Sequence, residues 1–495
     1  MIRIASTLLV LAGLLSASLT CQGRPEGAPK FSKKQLVKAF DSDQNGRLTG
    51  DERTAAIQWI HEDLKKNPPR RRGSRPAPES ELKPYKVAKD SVQRYGDHDL
   101  YDTSVVRTIF IDFANANWSE DMKLFYRTDI DEPATVTVDG VVYPGVGVHF
   151  RGSSSYFSVV NRPKKSMSLS FDHENKEQRL AGCKAVNLLS AHADPSYMRT
   201  VLFAHIAGNY VKMPKACFVH LVINGESWGL YINDQQLNKD FIEQAFETRK
   251  GSRWKIGPNF NGESALAYQG PDRANYESKY ELKSGPKKKS WRALIKLCST
   301  LSESSPSELE KNLAAMLDID HALWFLALDN VLMDGDGYHY RGSDYALYLH
   351  PNGKFYPLFR DNNESFNYGG GPGGFGRDGG SRTRSRGAVM DPLKLVDEER
   401  AALSSKLLAV PKWREQYLDR CRELRDTWVD WQKVGPIVAR WRAMIEPIVS
   451  KDDKGLYGYA AFKEGLGAGS ERTPGLEKFF QERRTFLDET PSLKK

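Results

Sequence analysis

Cysteine is scarce in this sequence: five of its 495 residues are Cys, and no two of them stand in a C-x-x-C spacing. Cys21 follows an apolar N-terminal stretch, and the other four are widely separated, at Cys183, Cys217, Cys298 and Cys421. Two disulfides are compatible with an oxidising compartment, but scattered cysteines are more typical of small buried hydrophobic side chains. The sequence therefore gives no sign of a fold held together by a disulfide framework.

Long apolar runs are also lacking, because no stretch beyond the N-terminus reaches the length of a membrane-spanning helix. Residues 1–23 combine Arg3, a short apolar region and small residues near position 20, which is typical of a secretory signal peptide. Cleavage before or after Cys21 stays open, and the residues preceding it fit poorly with a lipoprotein signal. We predict an exported protein (periplasmic, cell-surface or extracellular) with no transmembrane segment in the mature chain.

No strong charge excess is present either. Lys and Arg number 72 against 63 Asp and Glu, a formal net charge of +9. This mild balance favours acidic or phosphate-bearing partners without singling out nucleic acid, and we expect no nucleic-acid partner. The length predicts about three domains.

The clearest local motif is the acidic stretch DSDQNGRLTGDE at residues 41–52. It follows a short amphipathic helix that Ser32 is predicted to cap. Its residue types fill the positions of an EF-hand calcium loop, with Gly46 at the sharp turn and ligand positions at Asp41, Asp43, Asn45, Arg47 (through its carbonyl), Thr49 and Glu52. We predict a single Ca2+-binding EF-hand over residues 28–66. A degenerate loop that keeps its shape without metal is the alternative.

Composition divides the rest of the chain. Residues 67–100 are rich in Pro, Arg and Ser, which predicts a linker. Residues 101–234 contain alternating apolar runs separated by turns, which predicts an antiparallel sheet. Residues 235–490 are mainly helical in pattern. The predicted fold is therefore α+β with two lobes, a β-rich lobe and a helical lobe.

Two further segments within these lobes have recognisable patterns. Asp194, followed by Pro195, is predicted to cap a helix whose apolar stripe includes Val201 and Leu202. The Gly/Arg-rich stretch 367–388 is a flexible loop or a basic site that captures an acidic peptide.

A small-residue loop follows one predicted strand, with Arg151, Gly152, Ser153 and Ser154 in it. Its backbone N–H groups are suited to phosphate oxygens, although a plain hairpin loop has the same composition. Lys164 and Lys165 then open the next strand. A lysine in that position is where kinase-type enzymes hold α/β-phosphates, and a surface lysine is the alternative.

The stretch from Asp329 to Phe366 concentrates acids between apolar runs. The runs YALYL and KFYPLF flank HPNGK, which predicts a hairpin. Such a hairpin brings Asp336 and Asp344 near Asp361 at one end of a sheet, and Asp334 belongs to the same acidic group. Clustered carboxylates suit a hard cation such as Mg2+. Turn-capping solvated acids are the alternative.

Seven motifs in order make the chain from Ser104 to Leu487 resemble the CotH-type (spore-coat protein H) atypical protein kinases. They are VHFRGSSS, PKKSMSLSF, NLLSAHADPSYMR, LVINGESWGLY, DGDGYHYRGSDYALY, GKFYPLFRDNNESF and ERRTFL. The resemblance implies a two-lobed kinase-like fold that binds ATP with Mg2+ or Mn2+ and phosphorylates Ser/Thr of exported or surface proteins.

Carried over by motif, Lys165 (or Lys164) matches the phosphate-binding lysine, and Asp336 matches the catalytic aspartate. Asp344 and Asp361 match the metal-binding positions. Asn363 stands where relatives often have a second acid, and Gln235 replaces another expected acid. An inactive CotH-like surface or matrix binding protein is therefore the alternative to an active kinase.

Overall fold

A computed structural model describes residues 31–67, 81–128, 130–257, 262–368, 387–470 and 473–494. The predicted signal peptide with Cys21, the first half of the predicted linker and nearly all of the Gly/Arg-rich stretch lie outside these ranges. In the described parts of the chain, every helix is too short or too polar to cross a membrane.

The structure is mixed α+β, as predicted. The first seven strands form a closed barrel in the order β1-β2-β3-β4-β5-β7-β6. They are β1 Arg107–Asp112, β2 Glu132–Val138, β3 Val141–Phe150, β4 Met167–Ser170, β5 Ala185–Leu189, β6 Ala216–Ile223 and β7 Glu226–Asp234. The sequence predicted antiparallel strands over this region, but it did not predict the closure of the sheet.

Four later strands form a second sheet in the order β11-β10-β8-β9. They are β8 Ser252–Ile256, β9 Tyr280–Ser284, β10 Tyr345–Leu349 and β11 Phe355–Phe359. Strands β10 and β11 pair antiparallel with Tyr345 opposite Phe359, which confirms the predicted hairpin.

The chain divides into two compact units. Unit 1 comprises residues 1–94, 108–190 and 221–228, and unit 2 comprises residues 95–107, 191–220 and 229–495. Strands β2 to β5 lie wholly in unit 1, and β8 to β11 lie in unit 2.

The described helices of unit 1 are Lys33–Phe40, Gly50–Lys66, Trp118–Leu124 and Ser154–Ser158. Ser32 caps the first of them as predicted, because its Oγ accepts from Gln35 N (3.3 Å) while its own N–H donates to Gln35 Oε1 (2.9 Å).

Helices dominate unit 2. They are Arg199–Ala207, Lys239–Phe246, Ala274–Glu277, Lys287–Glu303, Pro306–Ala314, Ile319–Val331, Tyr338–Arg341, Ala402–Ala409, Pro411–Thr427, Trp431–Val449, Tyr459–Leu466 and Leu476–Glu489, with a 3-10 turn at Pro491–Leu493. Ile319–Val331 is apolar around nearly its whole circumference and is buried accordingly.

One predicted helix start is wrong. The N-cap is Met198 and the helix begins at Arg199, so Asp194 lies outside it. The Asp194 carboxylate instead accepts from the backbone N–H groups of Ser196 (3.0 Å) and Arg199 (2.9 Å), which delays the helix by a turn.

The four cysteines within the described residues are buried thiols, as predicted. Burial raises the pKa of both Cys217 and Cys421 to about 12. These side chains therefore stay protonated and pack as small hydrophobic groups.

Part of the predicted linker is ordered. Within unit 1, Val87 N donates to Gly225 O and Ser227 N donates to Tyr85 O, both at 2.9 Å. Within unit 2, the Arg107 guanidinium donates to Tyr95 O at 2.7 Å and to Leu100 O at 3.1 Å. The segment after residue 81 is therefore tied down by backbone bonds.

Candidate functional site

The acidic segment of unit 2 is organised by the β10–β11 hairpin. Because Tyr345 pairs with Phe359, Asp344 and Arg360 emerge at the same end of the two strands. Arg360 Nη1 lies 3.0 Å from Asp344 Oδ1. Asp344 and Asp361 both adopt left-handed backbone conformations, with φ of +50° and +60°. Such conformations are uncommon outside glycine and often accompany functional sites.

Asp344 is the most perturbed of the predicted metal ligands. Burial and the nearby Asp361 charge raise its pKa to about 7, against the opposing effect of Arg360. Its Oδ2 atom is buried and has no hydrogen-bond partner among the described residues. A buried carboxylate oxygen without a donor is costly, and a bound cation would satisfy it. The chemistry of this group therefore fits a hard divalent metal.

Asp336 belongs to the same group of charges. Its carboxylate forms an ion pair with Arg341, and Arg341 also lowers the pKa of Asp344. Ser343 Oγ donates to the Asp336 carbonyl at 3.2 Å. The structure thus brings the predicted acids Asp336, Asp344 and Asp361 into one electrostatic cluster.

Asp334 lies beneath this cluster and is buried. Asn362 Nδ2 donates to its Oδ2 at 2.7 Å. Burial, followed by the Asp329 charge, raises the pKa of Asp334 well above its usual range. Asp334 therefore links the loop to Asn362, the residue after Asp361.

The sequence interpretation missed the pair Asp329 and His339. Asp329 accepts from the backbone N–H groups of Tyr338 (3.1 Å) and His339 (2.6 Å), and its Oδ2 is 2.8 Å from His339 Nδ1. A Cβ on Gly337 would lie 2.2 Å from Asp329 Oδ1, so only glycine fits there. The sequence did contain a signal for this pair, because Asp329 is an acid near the end of an otherwise apolar helix.

Asn363, predicted as a metal ligand, has its amide nitrogen engaged. Nδ2 donates to the His192 carbonyl at 3.2 Å. Burial lowers the pKa of His192, whereas Glu364 and Asp361 oppose that shift. His192 was not singled out from the sequence, although it lies in the motif NLLSAHADPSYMR.

Arg199 was likewise missed, because a charged residue off an apolar stripe looks exposed. Its guanidinium is buried and donates to the carbonyls of Ser365 (2.6 Å), Pro474 (2.6 Å) and Phe366. It fixes the chain just beyond Asp361.

Arg483 similarly fixes the backbone before and after the acidic segment. It donates to the carbonyls of Val331 (3.0 Å) and Met390 (2.7 Å) and to Asn330 Oδ1 (3.0 Å). This explains the position of ERRTFL among the motifs, since its first arginine, Arg483, holds the end of the helix that leads into the acidic segment.

The predicted phosphate-binding residues lie in unit 1. Lys165 Nζ donates to the Arg162 carbonyl and lies 5.6 Å from the Phe150 ring centre and 5.9 Å from that of Tyr156. Burial, followed by Lys123, lowers the pKa of Lys165 to about 8. Lys164 is also buried.

The small-residue loop has a mixed conformation. Arg151 N donates to Ser166 O at 2.9 Å, which holds it against the next strand. Gly152 has φ of +100°, a value that favours glycine. Ser153 precedes the short helix Ser154–Ser158. The structure leaves the phosphate-binding role of this loop and of Lys165 as a prediction.

The predicted calcium loop, also in unit 1, gathers its acids. Asp41, Asp43 and Glu52 each offer an oxygen within 4.8 Å of the others. Asp41 accepts from Asn45 N (3.1 Å) and Gly46 N (2.8 Å). The Arg47 N–H donates to Asn45 Oδ1 at 2.8 Å, and Gly46 has φ of +80°. These oxygens suit Ca2+.

The fold and the acidic cluster define an α+β protein with a candidate divalent-metal site. A family model described as CotH kinase protein matches residues 148–487, more than half of the chain, and the chain belongs to this family. The match includes the acidic cluster, Lys165 and the loop at residues 151–154, whereas the calcium loop lies before it.

The chain is also similar to Invasin CotH3 of Rhizopus delemar, with 26% identity over 183 residues. That alignment covers 35% of this chain and 30% of the invasin, so this chain spans under a third of its relative.

Proposed function

We propose that the protein is an exported atypical kinase that transfers the γ-phosphate of ATP to Ser/Thr of surface or secreted proteins. The observation that carries this proposal is the buried carboxylate of Asp344, with its unsatisfied oxygen and the Asp361 charge nearby, in a chain of the CotH kinase family. We infer a two-lobed kinase-like layout from the same membership.

The residues divide the work of phosphoryl transfer, which consists mainly of positioning and charge neutralisation. Asp336 accepts the proton of the substrate hydroxyl. Asp361 and Asp344 hold Mg2+ or Mn2+, which when bound neutralises phosphate charge. Asn363 offers its amide oxygen to the same metal, while its amide nitrogen donates to the His192 carbonyl.

The phosphates of ATP are bound by the other set of predicted residues. Lys165, with Lys164 as the alternative, pairs with the α/β-phosphates. Gly152, Ser153 and Ser154 supply backbone N–H groups, and Arg151, whose own N–H donates to Ser166 O, supplies its guanidinium. Burial lowers the pKa of Lys165 to about 8, and an anionic phosphate beside the ammonium would favour its charged form.

Residues 28–66 act as a Ca2+-binding EF-hand in this proposal, with Asp41, Asp43, Asn45, the Arg47 carbonyl and Glu52 as ligands. Export is supported by the N-terminal signal-peptide pattern and by the name of the relative, an invasin. Lipid attachment at Cys21 is the less favoured form of export.

The test is transfer from γ-labelled ATP to the protein itself or to an added basic protein, with Mg2+ or Mn2+. Wild type is expected to incorporate label, and Asp336→Ala is expected to lose it. Asp397→Asn, which alters an exposed aspartate of the same unit, is the matched control. Equal incorporation by wild type and Asp336→Ala ends the kinase proposal.

A second candidate is an inactive CotH-like binding protein of a surface or matrix. Two observations favour it: Asp336 is paired with Arg341, and an amide at Asn363 replaces an acid. Thermal unfolding separates the two. Stabilisation by ATP with Mg2+ is expected of the kinase, and its absence together with absent transfer supports the binding protein.

A further inference from the structure

In unit 1 a short segment, residues 125–127, lies between the predicted calcium loop and the predicted phosphate loop. We call it the connector. On one side, Phe125 joins the apolar core of the EF-hand, which contains Leu36, Leu48, Ala56 and Ile60, together with Ile130. The connector therefore covers an apolar surface that a second hand covers where EF-hands occur in pairs.

A buried charge strengthens this contact. Arg53 immediately follows Glu52, the last predicted calcium ligand. Its guanidinium forms an ion pair with Glu132, donates to Asp131 O at 2.8 Å and lies 4.5 Å from the Phe125 ring centre. Glu52 is thus one peptide bond away from Arg53, whose side chain packs on the connector.

On its other side, the connector holds the phosphate loop. Tyr126 Oη donates to Gly152 O at 2.6 Å, and the Tyr126 ring stacks on Tyr156 with centres 3.6 Å apart. Arg127 donates to Ser153 Oγ and lies 5.2 Å from the Phe157 ring centre. These contacts fix both the backbone and one hydroxyl of the loop.

Arg127 also places a permanent positive charge at that loop. Its side chain is half-buried, and its guanidinium touches Ser153. Arginine stays protonated in proteins and matches phosphate geometry with its planar group. Lys165, by contrast, is engaged with the Arg162 carbonyl between two aromatic rings.

We propose that Arg127 is a further phosphate-binding residue and that the connector couples the two loops, so that Ca2+ raises the affinity for nucleotide. This rests on the proposed function, in which residues 41–52 bind Ca2+ and residues 151–154 bind ATP. Ca2+ orders Glu52, Arg53 and Phe125, and the ordered connector presents Arg127 and Gly152 to the phosphates. Thermodynamic reciprocity requires that ATP raises the affinity for Ca2+ by the same factor.

The experiment measures binding of Mg-ATP to the full chain by calorimetry, with and without Ca2+, and then of Ca2+ with and without Mg-ATP. We expect Ca2+ to tighten ATP binding by roughly fivefold or more, within the usual range of allosteric coupling. Glu52→Gln, which removes the last predicted calcium ligand, is expected to lose the increase in ATP affinity that Ca2+ causes. The same titration of Glu52→Gln also measures the contribution of Ca2+ that is bound directly by ATP.

Single substitutions distinguish the contribution of the Arg127 charge to ATP binding from the coupling through the connector. Arg127→Gln is expected to weaken ATP binding about tenfold, as for loss of a charged hydrogen bond, and Arg127→Lys to restore part of it. Arg94→Gln, an exposed arginine of the same unit, is the control. Tyr126→Phe removes the hydroxyl that donates to Gly152 O and is expected to reduce the calcium effect.

Three results overturn the inference: equal ATP affinity with and without bound Ca2+, Arg127→Gln behaving like Arg94→Gln, or no Ca2+ binding by the wild type. If ATP fails to bind under every condition, the proposed kinase function falls with it. If ATP binds and is hydrolysed or transferred without any calcium effect, only the coupling is wrong.

Discussion

Arg360 Nη1 lies 3.0 Å from Asp344 Oδ1, whereas the other oxygen of the same carboxylate is buried without a partner among the described residues. Arg360 therefore satisfies one oxygen of Asp344, and the chemistry of the second, buried oxygen suits a cation. The hairpin produces this arrangement, because it places residues 344 and 360 side by side at its open end.

Replacing Asp344 by Asn is expected to change how stability depends on pH. Burial and Asp361 raise the Asp344 pKa from 3.8 to about 7. The folded state therefore binds this proton more tightly than the unfolded state, and wild type loses stability as pH rises from about 4 to about 7. Asp344→Asn is expected to lack that loss, of about 4 kcal/mol. Urea unfolding without divalent metal measures it. Identical pH profiles would contradict the prediction, and Asp397→Asn should follow wild type.

Loss of Arg199 is expected to destabilise unit 2. Arg199→Met leaves the carbonyls of Ser365, Phe366 and Pro474 without donors and removes the buried positive charge near Asp194, where Arg199 Nε is 3.5 Å from Asp194 Oδ1. Breaking one partner of a buried pair costs about 3–5 kcal/mol. Chemical denaturation tests this against Arg292→Met, an exposed control in the same unit. If Arg199→Met lowers the free energy of unfolding by less than about 1 kcal/mol more than Arg292→Met does, Arg199 does not stabilise this segment.

Gly337→Ala is expected to disturb the acidic loop. The added Cβ would lie 2.2 Å from Asp329 Oδ1 and 3.0 Å from Asp334 Cβ. Overpacking of this kind costs about 1–3 kcal/mol, and we expect weaker binding of Mg2+ as well. Gly96→Ala, where nothing lies within 4 Å of the new atom, is the control. Unfolding and metal titration are the measurements, and matching behaviour of the two variants would refute the prediction.

Calcium is expected to raise the melting temperature. A ligand at 100 times its dissociation constant stabilises the folded state by about 2.7 kcal/mol. Glu52→Gln should abolish the shift, because Glu52 is the last ligand of the loop. Asp51→Asn, an exposed neighbour outside the ligand positions, should preserve it. Thermal scans with Ca2+ and with chelator decide this, and a shift retained in Glu52→Gln would exclude the loop as the site.

Local signals in the sequence predicted local structure well. The Asn-Gly turn between two apolar runs predicted the β10–β11 hairpin, and Ser32 with Gln35 predicted a helix start. Both depend on residues within about ten positions of each other, so period and turn chemistry suffice. The burial of the cysteines followed from their scattered positions.

Long-range partners were not predictable in this way. Arg199 bonds to carbonyls more than 160 residues away. Asp329 has partners only nine and ten residues further along, but they lie in an irregular loop whose path the sequence does not specify. Asp194 was taken for a helix cap because Pro follows it, but its carboxylate turns the chain before the helix begins. The closure of the barrel likewise depends on pairing between distant strands, for which a single sequence carries no register information.

The ion pair of Arg53 with Glu132 has a practical consequence for anyone who wishes to study the kinase-like domain alone. Excising everything before residue 101 would strip a cation from a buried acid and uncover Phe125 and Ile130 to water. Such a fragment should aggregate and be poorly soluble, and a lack of activity in it would say nothing about catalysis by the full chain. The two N-terminal helices therefore cover an apolar surface of the segment that follows β1, and productive expression will require keeping them with the rest of the chain.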